Sequence, residues 1–114
     1  MQAAEKTLKL FLPVIKTDKY AFNSHIEDVE MFRTVKSVKS SAFCSCSSLK
    51  SIKFSDTLTE IQSYAFMNCS SLETVSLPQT IKQTGEGVFK SCTNLKKVEL
   101  PKGLKSLPKS FFEN

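Results

Sequence analysis

The sequence predicts a strand-rich solenoid, α/β by class, with a parallel in-register sheet on one side and short 3₁₀ or irregular segments on the other. Three observations carry that reading. The stretch Ala65 to Pro78 (AFMNCSSLETVSLP) recurs upstream from Ala42 to Ser55 (AFCSCSSLKSIKFS) and downstream from Val88 to Pro101 (VFKSCTNLKKVELP). Phe43, Phe66, Phe89 and Phe112 follow one another at a step of 23 residues, and a fixed step of about 20–50 residues marks stacked supersecondary units. Within a unit, Val75 and Leu77 alternate with polar neighbours, which is the period of a strand with one face buried.

Residues 1–7 (MQAAEKT) read as a polar lead-in to a single domain spanning 1–114. Residues 8–22 are a degenerate unit, with Leu12-Pro13 aligned to the Leu-Pro of later units and Tyr20-Ala21-Phe22 to Tyr64-Ala65-Phe66. Residues 22–42 form a shortened unit whose missing two residues fall just after Phe22. Counted back from Phe43, Ile26, Val29 and Met31 align with Leu49, Ile52 and Phe54. Residues 43–65 and 66–88 are full units, and 89–114 is a last one cut at Phe112-Glu113-Asn114, which reads as an array interrupted mid-unit.

Each unit carries a second apolar pair, Leu58/Ile61 in one and Leu104/Leu107 in another. A spacing of three suits a tight bend or a 3₁₀ turn. Every strand follows the same connection, so all should run parallel, about 4.8 Å apart. Each position then becomes a ladder of side chains. Glu27, Lys50, Glu73 and Lys96 alternate in sign up one such ladder, and opposite charges on adjacent strands favour that register by roughly 0.2–1 kcal/mol per pair. Thr34, Thr57 and Thr80, continued by Gly103, form another ladder, suited to satisfying backbone groups where the chain leaves the sheet.

A net charge of +5 permits attraction to acidic partners, but no run of five or six like charges marks a basic arm, and nucleic acid is not an expected partner. Nucleic-acid binding would show itself by a steep salt dependence. The apolar run Leu10 to Ile15 is too short to span a membrane, so no membrane insertion is expected. Residues 8–15 are a poor signal-peptide core, because Lys9 and Pro13 interrupt it.

Parts for catalysis are missing: one His, no phosphate-cradling glycine loop and no paired carboxylates. Cys46, Cys69 and Cys92 each follow a repeat Phe by three residues, and His25 has the same offset from Phe22. Four rungs at about 4.8 Å spread such ligands over roughly 14 Å, whereas zinc holds its ligands about 2.0–2.3 Å from one centre. The column therefore reads as small buried thiols, with no metal and no cofactor. Cys44 is off that column and expected to be exposed, which makes it the first candidate for a reactive thiol, although nothing nearby in the sequence activates it. Asn68-Cys69-Ser70 fits a glycosylation sequon, a short and weakly specific pattern.

The 23-residue pattern F-x-x-C-x-x-L-x-x-I-x-L-P-x-x-L-x-x-I-x-x-x-A-F resembles the BspA-type leucine-rich repeat. Phe66, Cys69, Leu72, Val75, Leu77, Pro78 and Ile81 match it, while Phe54-Ser55 replaces Leu-Pro, Thr84 replaces Ile and Val88 replaces Ala. The resemblance implies a curved leucine-rich-repeat solenoid and a non-catalytic protein–protein recognition module. It further implies a cell-surface or secreted, adhesin-like protein whose partner is a host surface or matrix protein. A cytoplasmic scaffold or regulatory domain of the same fold stays open as the alternative. The expected binding face is the outward side of the strands: Asp28, Glu30, Lys53, Thr74, Lys97 and Glu99, with Phe32 at a strand end either covering the core edge or anchoring a partner. The open ends of the array predict end-to-end self-association.

Overall fold

In the computed structural model, residues 6–16, 25–104 and 106–113 are described. They contain nine short strands and no helix: β1 (Thr7–Leu10), β2 (Val14–Ile15), β3 (Asp28–Met31), β4 (Ser37–Val38), β5 (Ser51–Lys53), β6 (Glu60–Ile61), β7 (Thr74–Ser76), β8 (Gln83–Thr84) and β9 (Lys97–Glu99). All pairings are parallel. The strands stack into a solenoid of about four turns. Its first side carries β1-β3-β5 and β7-β9, and its second carries β2-β4-β6-β8.

The first side holds the expected register. Asp28 pairs with Ser51, Val29 with Ile52, and Thr74 with Lys97. It is divided, however, because β5 and β7 do not ladder together. The division falls where Phe54 replaces the usual Leu and sets its ring edge-on against Phe66, centroids 5.7 Å apart. That extra ring takes up space between the two turns. The charge ladder divides at the same place: Lys50 bridges Glu27 at 3.4 Å and Lys96 bridges Glu73 at 4.0 Å, but among the described residues Lys50 and Glu73 form no ion pair.

The second side is more regular than a run of bends. Its two-residue strands form a continuous four-stranded ladder. The bonds are supplied from turn to turn, with the Thr59 N–H donating to Lys36 and the Lys82 N–H to Thr59, each at 2.9 Å. A third column closes each turn in the opposite sense. The N–H groups of Phe43, Phe66 and Phe89 donate forward to the carbonyls of Ala65, Val88 and Phe111, at 2.7, 3.0 and 2.9 Å.

Two details of the first unit correct the sequence reading. Leu10, not Leu12, occupies the strand-end position, since Leu10 pairs with Met31. Alternation explains the choice: Lys9 points out, so Leu8 and Leu10 share the inward side. Phe11 and Leu12 are left exposed, at 57% and 58%. The missing two residues therefore fall between β1 and β2 and not after Phe22, because the step is 21 residues at Thr7↔Asp28 but 23 at both Val14↔Ser37 and Asp28↔Ser51. His25 is exposed and comes into register with Ser48, not with the cysteines. The expected match at Tyr20-Ala21-Phe22 lies outside the described residues.

The core is a set of vertical columns. Phe43 stacks on Phe66 at 5.1 Å and Phe66 on Phe89 at 5.6 Å; Phe89 stacks in turn on Phe112 at 6.1 Å, but Phe112 is 38% exposed and the buried ring at that end is Phe111. Ile15, Val38 and Ile61 form a fully buried column under the second side. Leu107, expected to continue it, is instead 37% exposed. The threonine ladder acts as predicted: the Thr34 hydroxyl donates to the Phe11 carbonyl, Thr57 to Val35 at 3.1 Å, and Thr80 to Leu58 at 2.6 Å.

Left-handed residues among the described ones fall into two columns. Ser41, Tyr64, Gly87 and Ser110 form one such column, and Ser45, Asn68 and Ser91 the other. At Gly87 (φ +56) a Cβ would also lie 2.7 Å from the Tyr64 ring. Gly87→Ala should cost about 1–2 kcal/mol for its backbone conformation, with the ring contact adding to that.

The thiols are core groups. Cys69 Sγ donates to the Phe43 carbonyl at 3.2 Å and Cys92 Sγ to the Phe66 carbonyl at 3.1 Å. Burial, and secondarily the neighbouring Cys44, push the Cys46 thiol from 9.0 up to about 11. The Cys92 sulfur beside it, together with burial, raises the Cys69 thiol as well. Cys44 is half-buried, its sulfur 3.7 Å from the Ser45 hydroxyl.

Three outcomes follow from this packing. Phe66→Ala, at a fully buried site between two stacked rings, should lower unfolding free energy by about 3–5 kcal/mol in urea titration; a change below 1 kcal/mol, roughly, would remove Phe66 from the core. Folding raises the Cys46 thiol pKa, so the stability it contributes is present below pH 9.0 and lost as pH rises towards about 11. Stability measured across that window should therefore fall more gently in Cys46→Ala than in the wild type, and equal slopes would contradict it. Native alkylation followed by mass spectrometry should modify Cys44 first, with Cys46, Cys69 and Cys92 reacting on unfolding.

Candidate protein-interaction face

Parity within each strand decides which side chains face out. β5, β7 and β9 each put one residue inward, Ile52, Val75 and Val98, between two exposed ones. The outward positions then line up through the register. Thr7, Asp28 and Ser51 form one ladder, continued after the division by Thr74 and Lys97. Lys9, Glu30 and Lys53 form the next, continued by Ser76 and Glu99. Asp28, Glu30, Lys53, Thr74, Lys97 and Glu99 therefore share one surface.

The two halves of that surface differ. In the first, the polar groups are already engaged with one another: Asp28 accepts from the Ser51 hydroxyl at 2.6 Å, and Lys53 lies 3.8 Å from Glu30. Together with Thr7 and Ile52 they surround a shallow trough of about 500 Å³. Such exposed pairs contribute little to stability, from near zero to about 1 kcal/mol. In the second half, Thr74, Lys97 and Glu99 are exposed, and among the described residues neither Lys97 nor Glu99 has an ion-pair partner.

Phe32 is half-buried just past the end of β3. It stacks on Phe11, centroids 4.4 Å apart and rings within 12° of parallel. Phe11 is the residue that sequence reading missed. Aligning Leu10 instead of Leu12 with Met31 would have placed Phe11 beside Phe32 in register. The pair forms an aromatic step at one corner of the strand face, and Arg33 beside it is exposed.

Among the described residues no group of three or more His, Cys, Asp or Glu side chains is disposed to hold a metal ion. No helix among them is long and apolar enough to cross a membrane.

Comparison with known proteins agrees with this architecture. A model of the BspA type leucine rich repeat region matches residues 15–114 in six copies. A leucine rich cell surface protein of Faecalibacterium prausnitzii superposes with a TM-score of 0.75 at 23% identity, over 91% of this chain and 34% of that one. The pneumococcal vaccine antigen PcpA gives a TM-score of 0.65 at 32% identity, over 74% of this chain and 21% of that one. A leucine-rich repeat protein of Bacteroides ovatus gives 0.61 at 19% identity, over 93% of this chain and 36% of that one. The chain thus spans about a third or less of the length of these relatives. No match was found among curated proteins. With the 23-residue step, the stacked phenylalanines and a family match across most of its length, the chain belongs to the BspA-type leucine-rich repeat family.

Proposed function

We propose that this chain is a non-catalytic protein–protein recognition module of a surface or secreted adhesin-like protein, and that it binds through its strand face. One observation carries the reading: the outward side chains of β3, β5, β7 and β9 align into two ladders of mixed charge on one surface. Families of this repeat are typically non-enzymatic, and the Faecalibacterium relative is described as a cell surface protein. Within the face, Lys53, Lys97 and Glu99 supply exposed charge and the Phe11/Phe32 step supplies apolar area. Aromatic anchors ringed by polar groups are the usual energetic centre of a protein interface.

A second reading is an intracellular scaffold of the same fold. The thiol column favours it, because S–H groups that donate to core carbonyls suit a reducing compartment.

The test is a pull-down from host extracellular matrix and, in parallel, from lysate of the source cell, comparing wild type with Lys53→Glu/Lys97→Glu. Capture of a matrix protein that is lost on charge reversal is the expected result. Capture of a cytosolic partner would select the scaffold reading. Binding untouched by the reversal would move the working surface off the strand face.

A further inference from the structure

On the second side, one rung of the ladder fails for a definite chemical reason. The N–H groups of Lys39, Gln62 and Gly85 donate back to the carbonyls of Ile15, Val38 and Ile61, at 2.8, 2.9 and 2.8 Å. One step further the corresponding residue is Pro108, which has no N–H. The ladder β2-β4-β6-β8 ends there, and Ser106 and Leu107 form no strand. Thr84 turns its N–H and C=O to the outer edge of β8, and among the described residues no backbone group of the next turn bonds to either.

The neighbouring wall recedes as well. Gly103 stands where Thr34, Thr57 and Thr80 tie each turn to the one before. A Cβ built on Gly103 would meet nothing within 4 Å. Leu107 is 37% exposed, in a column that is otherwise buried at Ile15, Val38 and Ile61. The result is a crevice of about 750 Å³ on the second side, which runs from the β6 turn across β8 and is bounded beyond the edge of β8 by Gly103, Leu104, Ser106, Leu107 and Pro108.

We propose that this crevice takes an extended peptide segment of a partner protein, added as a strand to the outer edge of β8. A donor and an acceptor on one residue of an unpaired strand edge are matched by another extended backbone. Leu107 lies alongside and gives an apolar contact for one side chain of the guest. Lys82 lines the crevice without an ion-pair partner among the described residues, so an acidic residue next to that apolar one is favoured. The chain itself displays such a guest: Glu60-Ile61 of β6 lies in parallel register against the inner edge of β8. This surface is on a different side from the strand face and does not depend on it.

The test is titration of the ¹⁵N-labelled 114-residue protein with the synthetic hexapeptide LTEIQS, the sequence of residues 58–63. The expected result is saturable shifts centred on the Thr84, Gly85 and Leu107 amides. N-methylation of the peptide's glutamine amide, the counterpart of the Gln62 N–H that donates back to Val38, should weaken binding about tenfold, as expected when one backbone hydrogen bond is lost. Pro108→Lys, which restores the donor, and Gly103→Thr, which restores the wall, should each weaken binding while the spectrum stays dispersed. Lys53→Glu/Lys97→Glu should leave it unchanged, which separates this site from the strand face. An absence of saturable shifts, shifts centred on the edges of β1 or β9, or an N-methylated peptide of equal affinity would overturn the proposal.

Discussion

No turn of this protein can satisfy its own strand backbone. The hydrogen bonds of β1 to β9 all run to the turn above or below, and so do those of the phenylalanine column. Bonds inside a turn are short-range ones, such as Cys46 N–H to Phe43 and Leu72 N–H to Cys69. A rung therefore exists only while its neighbour presents the matching groups at the matching height. That requirement fixes the 23-residue step, since a shift of one residue would reverse the faces of a strand and misplace the left-handed corners together. It also explains why the phenylalanines stack face on face. Once the backbones are aligned, identical side chains at one position are brought to nearly the same separation, 5.1 to 6.1 Å down the column.

Much of this was legible in the chain. The phenylalanine step, the strand alternation and the outward ladders were readable because side-chain type alone carries them. Asp28, Glu30, Lys53, Thr74, Lys97 and Glu99 fall on one face by parity, without further information. The second sheet was not readable, because the positions that alternate with its buried column are Val14, Ser37, Glu60 and Gln83, a set with no common strand preference. Those strands are made by bonds received from neighbours. The corners were hidden for a similar reason: Ser41, Tyr64, Gly87 and Ser110 share a left-handed backbone but no chemistry, and only Gly87 advertises it. The first unit was misaligned because Leu12-Pro13 imitates the later Leu-Pro while Leu10 does the packing. Phe11 was overlooked in consequence.

The two long sides of the solenoid differ in how they treat their polar groups. On the strand face the first half pairs its polar groups through Asp28 with Ser51 and Glu30 with Lys53, whereas Lys97 and Glu99 are exposed without an ion-pair partner among the described residues. On the other side the side chains are modest and the backbone is what becomes available, at Thr84. A single residue type causes the difference: proline removes a donor without changing the register around it, so the corner beyond it re-forms, with the Gly87 N–H reaching Lys109 at 3.2 Å and Phe89 reaching Phe111.

Phe54 bears on how an array of this kind can grow. Copying residues 66–88, with Leu77 at the strand end, would lay down rungs like β7 and β9, which ladder together. Copying residues 43–65 would reproduce the edge-on ring, and with it a seam in the strand sheet at each new junction. Units that look interchangeable by their phenylalanine step are thus unequal as templates, and one side chain decides whether duplication extends a continuous surface or a segmented one.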